Sequence, residues 1–158
     1  AREVFEYPAT PDMFDRAISL RKKFIHVSRH PLDCIATTFK KTIRLQGETA
    51  DEHLARQIGL YFRRCESVQR IREKFGPDNL LVTHLESLID APRERLAEIC
   101  SYLGLPCDEA YLAACADIVK GKPNRTRDSI EWQPGHHDQV KEGMARFPWL
   151  ERYLAESD

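Results

Sequence analysis

Four side chains in "HVSRHPLDCIATTF", residues 26–39, have the types and the spacing to grip an anion: Arg29, Pro31, Asp33 and Thr37. A guanidinium presents a planar fork of donors that can hold a phosphate through two parallel bonds, and a threonine hydroxyl adds a neutral donor. Pro31 fixes its own φ and restricts His30, which favours a sharp entry into a helix. Thr37 lies eight residues after Arg29, two helical turns on, so both reach one anion only if the chain folds sharply before Pro31. On these residues alone a second reading stays open, an ordinary helix start with Arg29 solvated or paired to Asp33.

The elements that must position these groups follow from hydrophobic period and punctuation. "KFIHVS", 23–28, predicts a short buried strand, and Pro31, Asp33 and the recurrence of Ile35, Thr38, Phe39, Thr42 and Ile43 predict a helix over 31–45. Thr49 and Glu52 form a capping box at the head of a helix over 49–75, with Leu54, Ile58, Tyr61, Cys65, Val68 and Phe75 on or near one stripe. "GPDN" breaks the chain, and "LLVTH", 80–84, reads as a second buried strand. Asp90 and Pro92 start a helix that Gly104 stops, and Asp108 caps a short helix over 108–118.

Two strands separated by that much helix cannot form a hairpin, so they are parallel and the class is α/β, a parallel sheet flanked by helices. Arg29 then falls just past the carboxyl end of a strand and before a helix, the edge of an open parallel sheet where ligands bind and where helix N–H groups favour an anion. Residues 120–137 show no sustained period and predict a long loop, of the kind that often carries function. The tail "FPWLERYL" has enough apolar mass to dock as a final helix, with Phe147 and Trp149 in core packing.

The 158 residues suffice for one domain with a real core, and 1–158 is read as a single domain. A net charge of −1 excludes bulk attraction to nucleic acid or an anionic membrane, so any phosphate recognition is local. There is no membrane-spanning apolar run and no visible signal peptide. Five cysteines without a CxxC pair point to free thiols in a reducing compartment, hence a cytoplasmic protein.

"FIHVSRHPLDCIATTF" resembles the 3′-phosphate-binding segment of sulfotransferases that use 3′-phosphoadenosine 5′-phosphosulfate (PAPS), in the bacterial sulfotransferase-domain type. "LLVTHLESLIDAPRERLAEICSYLGLP", 80–106, resembles the family's later strand, Tyr-Glu-Asp-Leu turn, Asp-Pro helix start and helix end. The resemblance implies a fold related to the P-loop nucleotide kinases. It also implies PAPS as co-substrate without a metal, a 3′-phosphate held by Arg29 and Thr37, and a late basic loop that closes on the same phosphate. Arg125 and Arg127 in "NRTRD" match that loop, with Lys122 a weaker candidate. The implied reaction is in-line transfer of a sulfuryl group to an acceptor hydroxyl or amine, the acceptor being a small molecule, glycan or peptide of unspecified identity.

Departures from the pattern shape the rest of the reading. Leu85 replaces the family's tyrosine, removing an aromatic contact to the purine, and Glu86 is expected to order its turn by accepting backbone hydrogen bonds. No Gly- and hydroxyl-rich 5′-phosphosulfate loop precedes residue 23, and the seven glycines include no clustered pair. The expectation is a carboxyl-terminal portion of a larger domain; the alternative is a non-catalytic 3′-phosphonucleotide-binding or scaffold module. The position where some members carry a histidine falls on Tyr7, beside Glu6, so no catalytic base is assigned. His26 is expected to face a neighbour, and "GHHD", 135–138, to be solvated loop without a metal.

Overall fold

The computed structural model describes residues 22–119 and 121–155. Strands β1 (Phe24–Ser28) and β2 (Leu80–His84) pair in parallel, with Phe24 opposite Leu80 and Ser28 opposite His84. Because strand side chains alternate, His26 and Ser28 share one face with Val82 and His84, which places the polar ends of both strands side by side. On the opposite face Ile25 and Val27 are exposed. The helices are α1 (Pro31–Lys41), α2 (Ala50–Phe75), α3 (Leu85–Asp90), α4 (Pro92–Leu103), α5 (Glu109–Asp117) and α6 (Pro134–Met144). Three short 3₁₀ turns, Pro77–Asn79, Thr126–Ser129 and Pro148–Tyr153, complete the described elements.

The expected capping box is present at the head of α2: Glu52 N–H donates to the Thr49 hydroxyl, and the Glu52 carboxylate receives the Thr49 N–H. Gly104, with φ 71° and ψ 29°, ends α4 in the left-handed conformation that glycine enters without a Cβ penalty. Asp108 caps α5 by accepting the Tyr111 N–H at 2.7 Å. Among the described residues no helix is long and apolar enough to cross a membrane.

Three expectations need correction. Helix α1 stops at Lys41 rather than 45: Thr42 turns to extended geometry, and the Phe39 carbonyl, which a further helical turn would have used, lies 3.2 Å from His53 Nε2. Ile43 consequently leaves the apolar stripe and is exposed. The predicted loop 120–137 contains a 3₁₀ turn and the first turn of α6, where Pro134 occupies the opening position that needs no intrahelical N–H. His136 is therefore buried on a helix, 3.3 Å from Asp51, instead of solvated. The tail docks as expected, but as a 3₁₀ turn.

The core lies where α1, α2, α6 and the C-terminal turn meet, with Ile35, Ile58, Met144 and Leu150 fully enclosed. Gly143 permits the close approach of α6 to α2: a Cβ there would come within 2.2 Å of the Phe62 ring. Phe147 and Trp149 are core residues, as their sequence context predicts. Burying Leu150 and Tyr153 contributes on the order of 1.5–3 kcal/mol each, enough to anchor the C-terminal segment against the sheet end that carries Arg29.

Candidate functional site

The chain leaves β1 at Ser28 and enters α1 at Pro31, so only Arg29 and His30 make the turn. His30 is the cap residue, with φ −45° and ψ 122°, and its carbonyl accepts the N–H groups of Asp33 at 3.0 Å and Cys34 at 3.1 Å. This is the sharp fold before Pro31 that the spacing required.

Segment 124–129 lies along α1 and is tied to it in sequence. Arg29 Nη2 donates to the Asn124 carbonyl and lies 3.4 Å from the Thr126 hydroxyl. Asp33 Oδ1 accepts the Arg127 N–H at 2.8 Å, and Asp33 Oδ2 lies 3.6 Å from Arg127 Nη1. Lys40 Nζ donates to Ser129 Oγ at 3.1 Å. Asp33 is only 3% exposed, so its charge depends on these partners; a buried carboxylate without them would be costly. Asp33 lies in the first turn of α1, where the sequence puts it, and also holds a partner 94 residues away in the chain.

Arg29, Arg125 and Arg127 are thus brought to one corner of the molecule. Their side chains differ in surroundings. Arg125 is exposed and pairs with Asp128 at 3.1 Å, whereas Arg127 is largely covered. Nε of Arg29 and Nη1 of Arg127 are buried and make no hydrogen bond to any described residue. Thr37 sits one turn below Asp33, and its hydroxyl donates to the Asp33 carbonyl at 2.7 Å, so it would have to rotate to donate elsewhere. Lys122 is exposed. Tyr7 and Glu6 lie outside the described residues.

His30, which the spacing did not single out as a site residue, is 2% exposed, and neither ring nitrogen has a hydrogen-bond partner among the described residues. Burial, with the Arg127 charge adding, lowers its pKa to about 4 against the opposing influence of Glu86, so the ring is neutral near pH 7. Its backbone N–H donates to Glu86 Oε1 at 2.9 Å. Burial pushes the Glu86 carboxyl up, but the bonds from the His30 N–H and the Tyr153 hydroxyl outweigh it and hold the group below the usual carboxylate range. Glu86 therefore orders the neighbouring strand-to-helix junction as well as its own turn. Burial raises the Cys34 thiol to about 11, which makes it a neutral thiol rather than a nucleophile near pH 7. His26 packs edge-on to the Trp149 ring at 5.9 Å, the neighbour-facing position expected of it.

Chemically, the corner offers two guanidinium groups at the amino end of α1, each with a buried N–H donor that makes no hydrogen bond to a described residue, an arrangement suited to a multiply charged anion.

Residues 21–109, more than half of the chain, match the model of the Sulfotransferase family. The crystal structure of mouse sulfotransferase SULT7A1 complexed with PAP is similar in fold, with a TM-score of 0.59 at 15% identity over 86% of this chain and 62% of that chain. This chain thus spans less than two thirds of the length of that protein. The shared architecture is a P-loop-like parallel sheet flanked by helices. Among curated proteins none matches the chain in sequence.

Proposed function

The chain belongs to the sulfotransferase family, and from that premise we propose that Arg29, Thr37, Arg125 and Arg127 bind the 3′-phosphate of PAPS in an enzyme that transfers its sulfuryl group to an acceptor hydroxyl or amine. The observation that carries this reading is the pair of buried donors beside the amino end of α1, Arg29 Nε and Arg127 Nη1, which make no hydrogen bond to a described residue, the second lying 3.6 Å from Asp33 Oδ2. A buried cationic N–H without a partner forfeits hydrogen bonding worth about 1–3 kcal/mol, which an anion would recover.

Arg29 supplies the fork for the phosphate oxygens. Arg127 contributes its second charge from the loop that Asp33 holds down, and exposed Arg125 exchanges Asp128 for the anion at little expense, since an exposed ion pair is worth at most about 1 kcal/mol. Rotation of the Thr37 hydroxyl away from the Asp33 carbonyl adds one neutral donor. In the reaction the acceptor oxygen attacks sulfur as the bond from sulfur to the 5′-phosphate oxygen breaks. 3′-Phosphoadenosine 5′-phosphate leaves, and the acceptor's proton passes to a base.

Thermal unfolding tests the reading. At a ligand concentration of about 100 Kd, 3′-phosphoadenosine 5′-phosphate should stabilise the folded chain by about 2.7 kcal/mol, with a much smaller effect of adenosine 5′-phosphate at the same concentration. Equal shifts for the two nucleotides would sink it. Binding without turnover of PAPS by the full-length protein would favour a nucleotide-binding module over an enzyme.

A further inference from the structure

The C-terminal turn Pro148–Tyr153 lies outside the residues that match the family, yet it is stitched to the β2–α3 junction at three points. His84 Nε2–H donates to the Trp149 carbonyl at 2.9 Å, Arg152 Nη1 donates to Ser87 Oγ at 2.8 Å, and the Tyr153 hydroxyl donates to Glu86 Oε2 at 2.7 Å. The other oxygen of the same carboxylate, Oε1, accepts the His30 N–H. That N–H belongs to the peptide unit joining Arg29 to His30. A single carboxylate therefore connects the last buried aromatic of the described chain to the backbone that carries the Arg29 guanidinium.

We propose that Tyr153 is a positioning residue for Arg29: by donating to Glu86 it fixes the carboxylate on the Arg29–His30 peptide and thereby sets the direction in which the guanidinium is presented. The inference rests on reading Arg29 as an anion-binding group. Glu86 holds the peptide plane only while its own rotation is limited, and the Tyr153 hydroxyl, bonded to the carboxylate's other oxygen, limits it. The Tyr153 ring is fully buried and packs on His30 at 5.0 Å between ring centres and on His84 at 5.7 Å, so the hydroxyl has little freedom to move. Small errors in the placement of a binding group lose much of its contribution, since charge-assisted bonds depend on distance and direction.

A buried tyrosine could instead serve only to fill space, and Tyr153→Phe separates the two roles by keeping the ring and its packing while removing the oxygen. Two measurements on the full chain read the result. In the absence of nucleotide, hydrogen exchange at the His30 amide should accelerate about tenfold beyond any change at amides in the middle of α2, the scale of one lost hydrogen bond. In calorimetry, affinity for 3′-phosphoadenosine 5′-phosphate should fall about five- to tenfold, affinity for adenosine 5′-phosphate should not change, and Tyr153→Phe should add no further loss to Arg29→Ala. His30 exchange that merely follows α2, or equal loss for both nucleotides, would overturn the positioning role and leave a packing residue. If the wild-type chain does not distinguish the two nucleotides, the proposed function fails, and the exchange measurement alone still decides whether Tyr153 holds the Arg29–His30 peptide.

Discussion

At the carboxyl end of α1, Glu48 accepts from Arg56 Nε at 2.7 Å, Arg56 Nη2 at 2.9 Å and the Leu45 N–H at 2.8 Å, and lies 3.0 Å from His53 Nδ1. His53 Nε2, on the other side of the ring, lies 3.2 Å from the Phe39 carbonyl and 3.2 Å from the Thr42 hydroxyl. At the amino end of the same helix, Arg29 Nε, Arg127 Nη1 and both ring nitrogens of His30 are buried without a hydrogen-bond partner among the described residues. The two clusters use the same residue types. Where a carboxylate collects the donors around it, the network pins a loop and captures a helix-end carbonyl; where buried donors have no hydrogen-bond partner among the described residues, a ligand that supplied acceptors would add stability.

Breaking the open cluster should change binding and leave the fold alone. Arg29→Ala should weaken binding of 3′-phosphoadenosine 5′-phosphate by about 1.5–3 kcal/mol, the scale of a charge-assisted contact, with little change in melting temperature. Unaltered affinity in calorimetry would remove Arg29 from the site.

The same cluster should also make stability depend on pH. His30 has a folded-state pKa of about 4 against an ordinary value of 6.5, so between these values the unfolded chain binds a proton that the folded chain refuses. Stability from this source is complete above pH 6.5 and is lost as pH falls toward about 4, on the order of 3 kcal/mol. His30→Leu should flatten that limb in denaturant titrations across the range. An unchanged slope would show that another group is responsible.

At the closed end the pattern should invert. His53→Ala removes a ring that is 1% exposed and should lower stability by about 1–2 kcal/mol, leaving nucleotide affinity as it was; a selective loss of affinity would mean that the two ends are coupled through α1. The smallest effect is expected of Thr37→Val, about 0.5–1.5 kcal/mol in binding. Since the Thr37 hydroxyl donates to the Asp33 carbonyl in the free protein, a change confined to melting temperature would assign it to the helix alone.

What was legible in the sequence was local. Both strands, the capped helix α2 and the Gly104 stop follow from patterns within a few residues, and Arg29 could be placed between strand and helix because Pro31 marks the boundary. The end of α1 was misplaced because it is decided by Thr42 turning to extended geometry and by His53, fourteen residues beyond Phe39, meeting the Phe39 carbonyl. Helix α6 was partly hidden because Pro134, Gly135 and two histidines look like loop, although His136, Val140, Gly143 and Met144 already share one helical face. Asp33 with Arg127 and Glu86 with Tyr153 span 94 and 67 residues, and no local pattern announces such pairs. The family resemblance pointed to the basic loop; the carboxylates that hold it and the Arg29 turn in place became visible only in three dimensions.

The most direct test is isothermal calorimetry of the wild-type chain with 3′-phosphoadenosine 5′-phosphate and with adenosine 5′-phosphate in the same buffer. Arg29 and Arg127, each with a buried donor that makes no hydrogen bond to a described residue, predict at least about tenfold tighter binding of the 3′-phosphorylated nucleotide, the scale of one charge-assisted contact. Equal affinity from a folded sample would contradict the assignment of this corner as a 3′-phosphate site.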